Sequence, residues 1–127
     1  MSINNLRTGV GVDAHKFAQS ASDGPCRLAG LEWPESNRLE GHSDGDAAVH
    51  ALCDAVLAAA GLGDVGQVFG IDKPEWKGAS GLKMIEHLRT LISEKRIEIN
   101  NVSIQIVGNS PKIATVSYTH LTLPTKA

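Results

Sequence analysis

His42–Ala60 reads HSDGDAAVHALCDAVLAAA. From Asp46 onward Ala, Val and Leu dominate, and the polar residues Asp46, His50 and Asp54 recur four apart. Residues at i, i+4 and i+8 share a helix face, so the segment predicts a buried helix with one polar stripe. Ser43-Asp44-Gly45-Asp46 matches the S-x-x-D form of a helix start, and Gly61 or Gly63 supplies the stop. A polar stripe on a buried helix needs partners, because an unpaired polar group in a core is costly.

Outward from this helix, Thr8–Phe17 (TGVGVDAHKF) alternates Val10, Val12 and Ala14 with Gly11, Asp13 and His15. Period two predicts a strand with one polar face. Cys26–Trp33 reads as a short strand broken at Gly30, and Pro34–Glu40 as a loop. Gly63–Lys77 reads as a loop with turn signals at Gly66, Gly70 and Pro74. Ser80 is placed to cap a second helix running to about Lys95, with Leu82, Ile85, Leu88, Leu91 and Ile92 at helical spacing. Asn101–Val107 alternates as a strand, with Val102, Ile104 and Ile106 on one face, and Gly108–Pro111 must turn. The order strand, strand, helix, helix, strand predicts an α+β fold, a two-layer sandwich with helices packed on one face of a mixed sheet.

The 127 residues suffice for one modest domain. Hydrophobic residues make up 42% but aromatics only 4%, so small aliphatic side chains must fill the core, and oligomerisation is a common remedy for such a core. A formal charge of −2 without a basic run argues against a nucleic-acid partner. Cys26 and Cys53 form no CxxC and read as free thiols in a reducing cytoplasm. MSINNLRTGV has no apolar signal core, and the apolar run at Ala55–Ala60 is too short to span a membrane.

Asp13 and His15, two apart on a strand, leave the same face and can converge on one ion. With His50 they would make an Asp-His-His zinc shell whose fourth position stays open for substrate. Asp46 or Asp54 is then the expected acceptor for the second ring N–H of His50. The same residues also read as an ordinary D-x-H strand and a core histidine, and nothing local says that His50 folds back onto Asp13. Gly41–Asp46 reads either as a phosphate-binding helix start with His42 as a donor or as a plain capped turn.

Taken together the motifs resemble one family. Gly11–His15 (GVDAH) looks like the N-terminal D-x-H strand of the bacterial 2-C-methyl-D-erythritol 2,4-cyclodiphosphate synthases. His42–Leu57 (HSDGDAAVHALCDAVL) is similar to their central signature almost residue for residue, Gly63–Gly66 (GDVG) to the loop that follows, and Ser110–Lys112 to an A-P-K turn. The resemblance implies a lyase of non-mevalonate isoprenoid (terpenoid) biosynthesis acting on 4-diphosphocytidyl-2-C-methyl-D-erythritol 2-phosphate and releasing CMP. It implies zinc on Asp13, His15 and His50, and His42 as a catalytic stabiliser of charge. It implies substrate contacts from Asp13, His15, His42 and Ser43, from Asp64 and Gly66, from Phe69, Asp72 and Lys73, and from Gly108, Pro111, Lys112 and Ala114 around the cytidine. It further implies a second divalent cation, magnesium or manganese, and a homotrimer with sites between subunits.

Two stretches depart from the pattern. Gly70-Ile71-Asp72-Lys73 stands where many members carry an acidic D-x-D. Resemblance stops near Ala114, and Thr115–Ala127 (TVSYTHLTLPTKA) reads as a non-native tail after a cyclodiphosphate synthase-like domain over residues 1–114. The expectation is a sheet incomplete at the C-terminus, a missing ligand for the second metal, and a chain that folds poorly and lacks activity. The rival readings are a zinc hydrolase, for which no H-E-x-x-H is present, and a non-catalytic zinc-binding or interaction domain.

Overall fold

The computed structural model describes residues 5–20 and 23–112. Its elements are β1 (Pro25–Leu28), β2 (Leu31–Asn37), α1 (Ala47–Ala60), α2 (Val65–Phe69), a 3-10 turn (Pro74–Trp76) and α3 (Gly81–Glu94). The class is α+β, as the sequence leads one to expect. The ladder among the described residues is a two-stranded antiparallel hairpin rather than a mixed sheet.

The hairpin corrects two expectations. Cys26–Trp33 is two strands joined at Ala29-Gly30, both left-handed at φ 56° and 77°, the geometry of a two-residue hairpin turn whose twist matches the strands. The presumed loop at Pro34–Glu40 is strand as far as Asn37. Pro34 is tolerated because the strand is an edge, where its missing N–H breaks no ladder. Trp33 turns inward, and its Nε1–H donates to the Leu28 carbonyl at 3.0 Å.

Helix α1 is capped by Asp46, whose side chain accepts from the Val49 N–H, and it closes at Gly61. The S-x-x-D reading assigned a starting role to Ser43 that Asp46 performs. Asp46 is fully buried. Beyond its cap bond, its two oxygens accept the N–H of Ala29 at 2.8 Å and of Gly30 at 2.7 Å. One carboxylate thereby fastens the hairpin turn to the start of α1. Burial pushes the Asp46 carboxyl above its ordinary range, while the three backbone donors pull it back.

Two apolar clusters meet across this contact. Cys26, Leu28, Trp33, Leu39 and Ala48 fill the space under the hairpin. Val49, Cys53, Val56 and Leu57 of α1 pack with Phe69, Trp76, Met84, Leu88 and Ile92. Helix α3 spans the expected residues and is capped by Ser80. Its Leu82 faces solvent, and Met84 takes the buried place instead. The presumed loop at Gly63–Lys77 holds α2, started by a reciprocal Asp64/Gln67 capping box.

The segments at Thr8–Phe17 and Asn101–Val107 were expected as strands. They join no ladder among the described residues, apart from an isolated bridge between Phe17 and Leu39. The first still keeps its period-two alternation: Gly11, Asp13 and His15 turn inward, while Val10 and Val12 are more than 80% exposed. It crosses α1 at contact distance. A Cβ on Gly9 or Gly11 would collide with the main-chain oxygen of Ala55 or Ala51. Small residues on both sides therefore let the Asp13–His15 segment lie against the helix that carries His50. Ala114 and the Thr115–Ala127 tail lie outside the described residues.

Two outcomes follow for the fold. Asp46→Ala leaves three N–H groups without their acceptor and should cost about 2–4 kcal/mol in urea unfolding, with Asp46→Asn costing clearly less. Cys26 and Cys53 are free and fully buried. Burial, reinforced by nearby carboxylates, lifts their thiols to about 11 and about 12. Neither should react with a disulfide reagent at pH 8 until denaturant is added, when both should.

Candidate metal centre

Three side chains from two segments converge at one end of α1. Asp13 and His15 come from the crossing segment, and His50 lies one turn into the helix, nine-tenths buried. One ligand atom from each of the three falls within 4.8 Å of the others. The Asp13 carboxylate sits between the two imidazoles, 2.5 Å from His15 Nδ1 and 3.7 Å from His50 Nδ1. The rings of His15 and His50 are 5.0 Å apart and tilted by 54°.

Asp13 Oδ2 and His15 Nδ1 are buried and, despite their closeness, make no hydrogen bond. Two donor atoms facing one point, out of water and out of hydrogen-bonding alignment, fit a cation better than they fit each other. Burial holds the His50 imidazole below its ordinary value, against the upward pull of Asp13. A neutral ring is the form that has a lone pair for a metal. The described residues contain no other such group of three.

The loop ahead of α1 frames this cluster. Ser43 is buried, and its Oγ lies 2.8 Å from His50 Nε2. This corrects the expectation that Asp46 or Asp54 serves that nitrogen. Asp46 is engaged by the hairpin turn, and Asp54 accepts the Val65 N–H at 2.7 Å, tying α2 to α1. Gly41 lies so close to His15 that a Cβ there would stand 3.1 Å from its Nε2. His42 is half-buried, with its Nε2 3.2 Å from the Lys73 carbonyl.

Sequence reading missed the loop's own fastenings. Asp44 Oδ1 accepts the Asp46 N–H and Oδ2 the Gly81 N–H. Its N–H donates to Ala79, and Gly78 donates to the His42 carbonyl. Arg38 Nη2 donates to the Ser43 carbonyl at 3.1 Å. A buried Asp next to a helix N-cap was the available signal.

The remaining candidates are spread more widely. Asp64 caps α2, and Gly66 is exposed on that helix. The Phe69 ring is core: it meets Trp76 edge-on at 4.6 Å and also touches His87. Asp72 is exposed and Lys73 half-buried. Gly108 and Lys112 are exposed and Pro111 is buried. The adjoining Ser110 hydroxyl meets that of Ser36 on β2, which holds this turn against the hairpin.

Comparison with known proteins identifies the family. The YgbB family model matches residues 6–120. A 2-C-methyl-D-erythritol 2,4-cyclodiphosphate synthase of Cutibacterium acnes is 44% identical over 110 residues, covering 86% of this chain and 64% of its own. A bifunctional enzyme IspD/IspF of Clavibacter michiganensis is 47% identical over 111 residues, covering 87% of this chain and 26% of its own. The chain thus spans about 64% of the length of the Cutibacterium relative. A solved 2C-methyl-D-erythritol-2,4-cyclodiphosphate synthase in a CDP-bound form superposes with a TM-score of 0.78 at 33% identity, covering 88% of this chain and 73% of that one. A family match over residues 6–120, with identity of this extent to its relatives, places the chain in the YgbB family.

Proposed function

We propose that the protein carrying this chain is a metal-dependent lyase. It converts 4-diphosphocytidyl-2-C-methyl-D-erythritol 2-phosphate to 2-C-methyl-D-erythritol 2,4-cyclodiphosphate and CMP, in cytoplasmic isoprenoid biosynthesis. The observation that carries this reading is the half-buried Asp13–His15–His50 cluster, with its buried, unsatisfied Asp13 Oδ2 and His15 Nδ1 atoms. Zinc is the ion this donor set suits, and when bound it supplies a Lewis acid for a phosphate oxygen.

The reaction itself asks for positioning and charge neutralisation. An oxygen of the 2-phosphate attacks the β-phosphorus, the bond from that phosphorus to the bridging oxygen breaks, and CMP departs with that oxygen. Nucleophile and electrophile share one molecule, and well-oriented intramolecular reactions reach effective molarities of roughly 10⁵ M or more. In this reading Asp13, His15 and His50 hold the metal. His42, fixed by the Lys73 carbonyl, helps to stabilise charge as the phosphates approach. Ser43 stands beside the substrate, and Asp64, Gly66, Phe69, Asp72 and Lys73 shape the wall around the methylerythritol part. Gly108, Pro111, Lys112 and Ala114 shape the cytidine side. A second divalent cation, magnesium or manganese, would offset the repulsion between the two phosphates.

A homotrimer belongs to the same proposal. Val10, Val12, Val102, Ile104, Ile106 and Val107 leave apolar surface exposed, and neighbouring subunits would cover it.

The test supplies the diphosphocytidyl substrate with zinc and magnesium and follows both products. CMP and the cyclic diphosphate should form in equal amounts, and His50→Ala should lower the rate by roughly a hundredfold or more. Inorganic phosphate in place of CMP would mean a hydrolase. A folded, zinc-free protein that forms neither product would mean an interaction domain.

A further inference from the structure

We propose that Ser43 is a positioning residue for the metal centre: its hydroxyl accepts the Nε2–H of His50, so that Nδ1 presents its lone pair beside Asp13. The inference rests on the metal reading of the cluster and concerns a residue outside the ligand set. The two nitrogens of His50 face opposite ways. Nδ1 points toward Asp13 Oδ2 at 3.7 Å, and Nε2 toward Ser43 Oγ at 2.8 Å. A neutral imidazole carries one proton, so a ligand nitrogen at Nδ1 puts that proton on Nε2. His50 and Ser43 are both buried, and water is a poor substitute acceptor there. Without an acceptor the metal-competent tautomer would carry an orphaned N–H, and that cost would appear as weaker metal binding.

The hydroxyl has little freedom to move away. The Ser43 carbonyl is held by Arg38, and its neighbours His42 and Asp44 are bonded to Gly78 and Ala79. His50 is fixed from the other side, because its own N–H donates to the Asp46 carbonyl at the start of α1. Donor and acceptor are therefore set by two independently anchored backbones. A hydroxyl also suits this place better than a carboxylate would: it accepts the hydrogen bond without adding a second negative charge next to Asp13.

The experiment uses the full chain and cobalt(II) as the probe, with affinity read from visible absorption against a competing chelator. Ser43→Ala should bind about 10–100-fold more weakly, and Ser43→Thr, which keeps the hydroxyl, should recover most of that loss. The urea midpoint of metal-free Ser43→Ala should stay close to that of the unaltered chain. A fall in stability that matches the whole affinity loss would assign Ser43 to the fold alone and overturn the proposal. Nitrogen-15 correlation spectra of the zinc-loaded, unaltered chain give a second readout that needs no variant. They should show the His50 proton on Nε2, and a proton on Nδ1 would overturn the proposal. Cobalt uptake that is equal in Ser43→Ala and the unaltered chain leaves the metal reading intact and removes this one. No uptake by the unaltered chain removes the metal reading, and this inference with it.

Discussion

Backbone N–H groups from a hairpin turn and from a helix start converge on the Asp46 carboxylate. That contact joins the hairpin to the helix whose Ala48 sits in the apolar cluster beneath it. The hairpin has its own small cluster around Trp33, and the helices have theirs around Leu57 and Met84. A carboxylate is suited to the junction because one residue offers two acceptor atoms to several donors at once. It also sets the first turn of α1, and His50 follows one turn later. The position of His50 is thus tied to a hairpin turn that lies 16 residues before Asp46.

The second constraint is closeness. The Asp13–His15 segment can reach His50 only because Gly9 and Gly11 lie against Ala51 and Ala55. Without side chains at those places the backbone comes near enough for a carboxylate to sit between two imidazoles. The outer face of the same segment is apolar and exposed at Val10 and Val12. One short extended stretch thus presents chemistry to the helix and a hydrophobic surface away from it. This division is what a subunit interface beside a site would need.

Much of this was legible from residue order. The Ala-rich helix, its polar stripe and the amphipathic α3 follow from periodicity and caps, which are local properties. The D-x-H alternation gave the facing of Asp13 and His15 correctly even though no ladder forms there among the described residues. Spacing could not say that His50 meets them, since that depends on a tertiary crossing; the long His42–Leu57 resemblance supplied it instead. The stripe was also assigned too simply. Asp46, His50 and Asp54 share a face, yet they serve the hairpin turn, the cluster and α2 respectively. The partner of His50 Nε2 proved to be Ser43, seven residues earlier, because a loop turning ahead of a helix can fold back over its first turn. The strand at Pro34 was hidden by a residue that ordinarily marks a loop.

On the function proposed above, Asp13, His15 and His50 together hold one zinc ion. X-ray absorption at the zinc edge, on the zinc-loaded chain after extensive dialysis, tests it most directly. The expected result is a low-coordinate shell containing two imidazoles and a carboxylate oxygen at about 2.0–2.2 Å, with no sulfur. A sulfur shell at about 2.3 Å, drawn from Cys26 or Cys53, or no retained zinc at all, would contradict it.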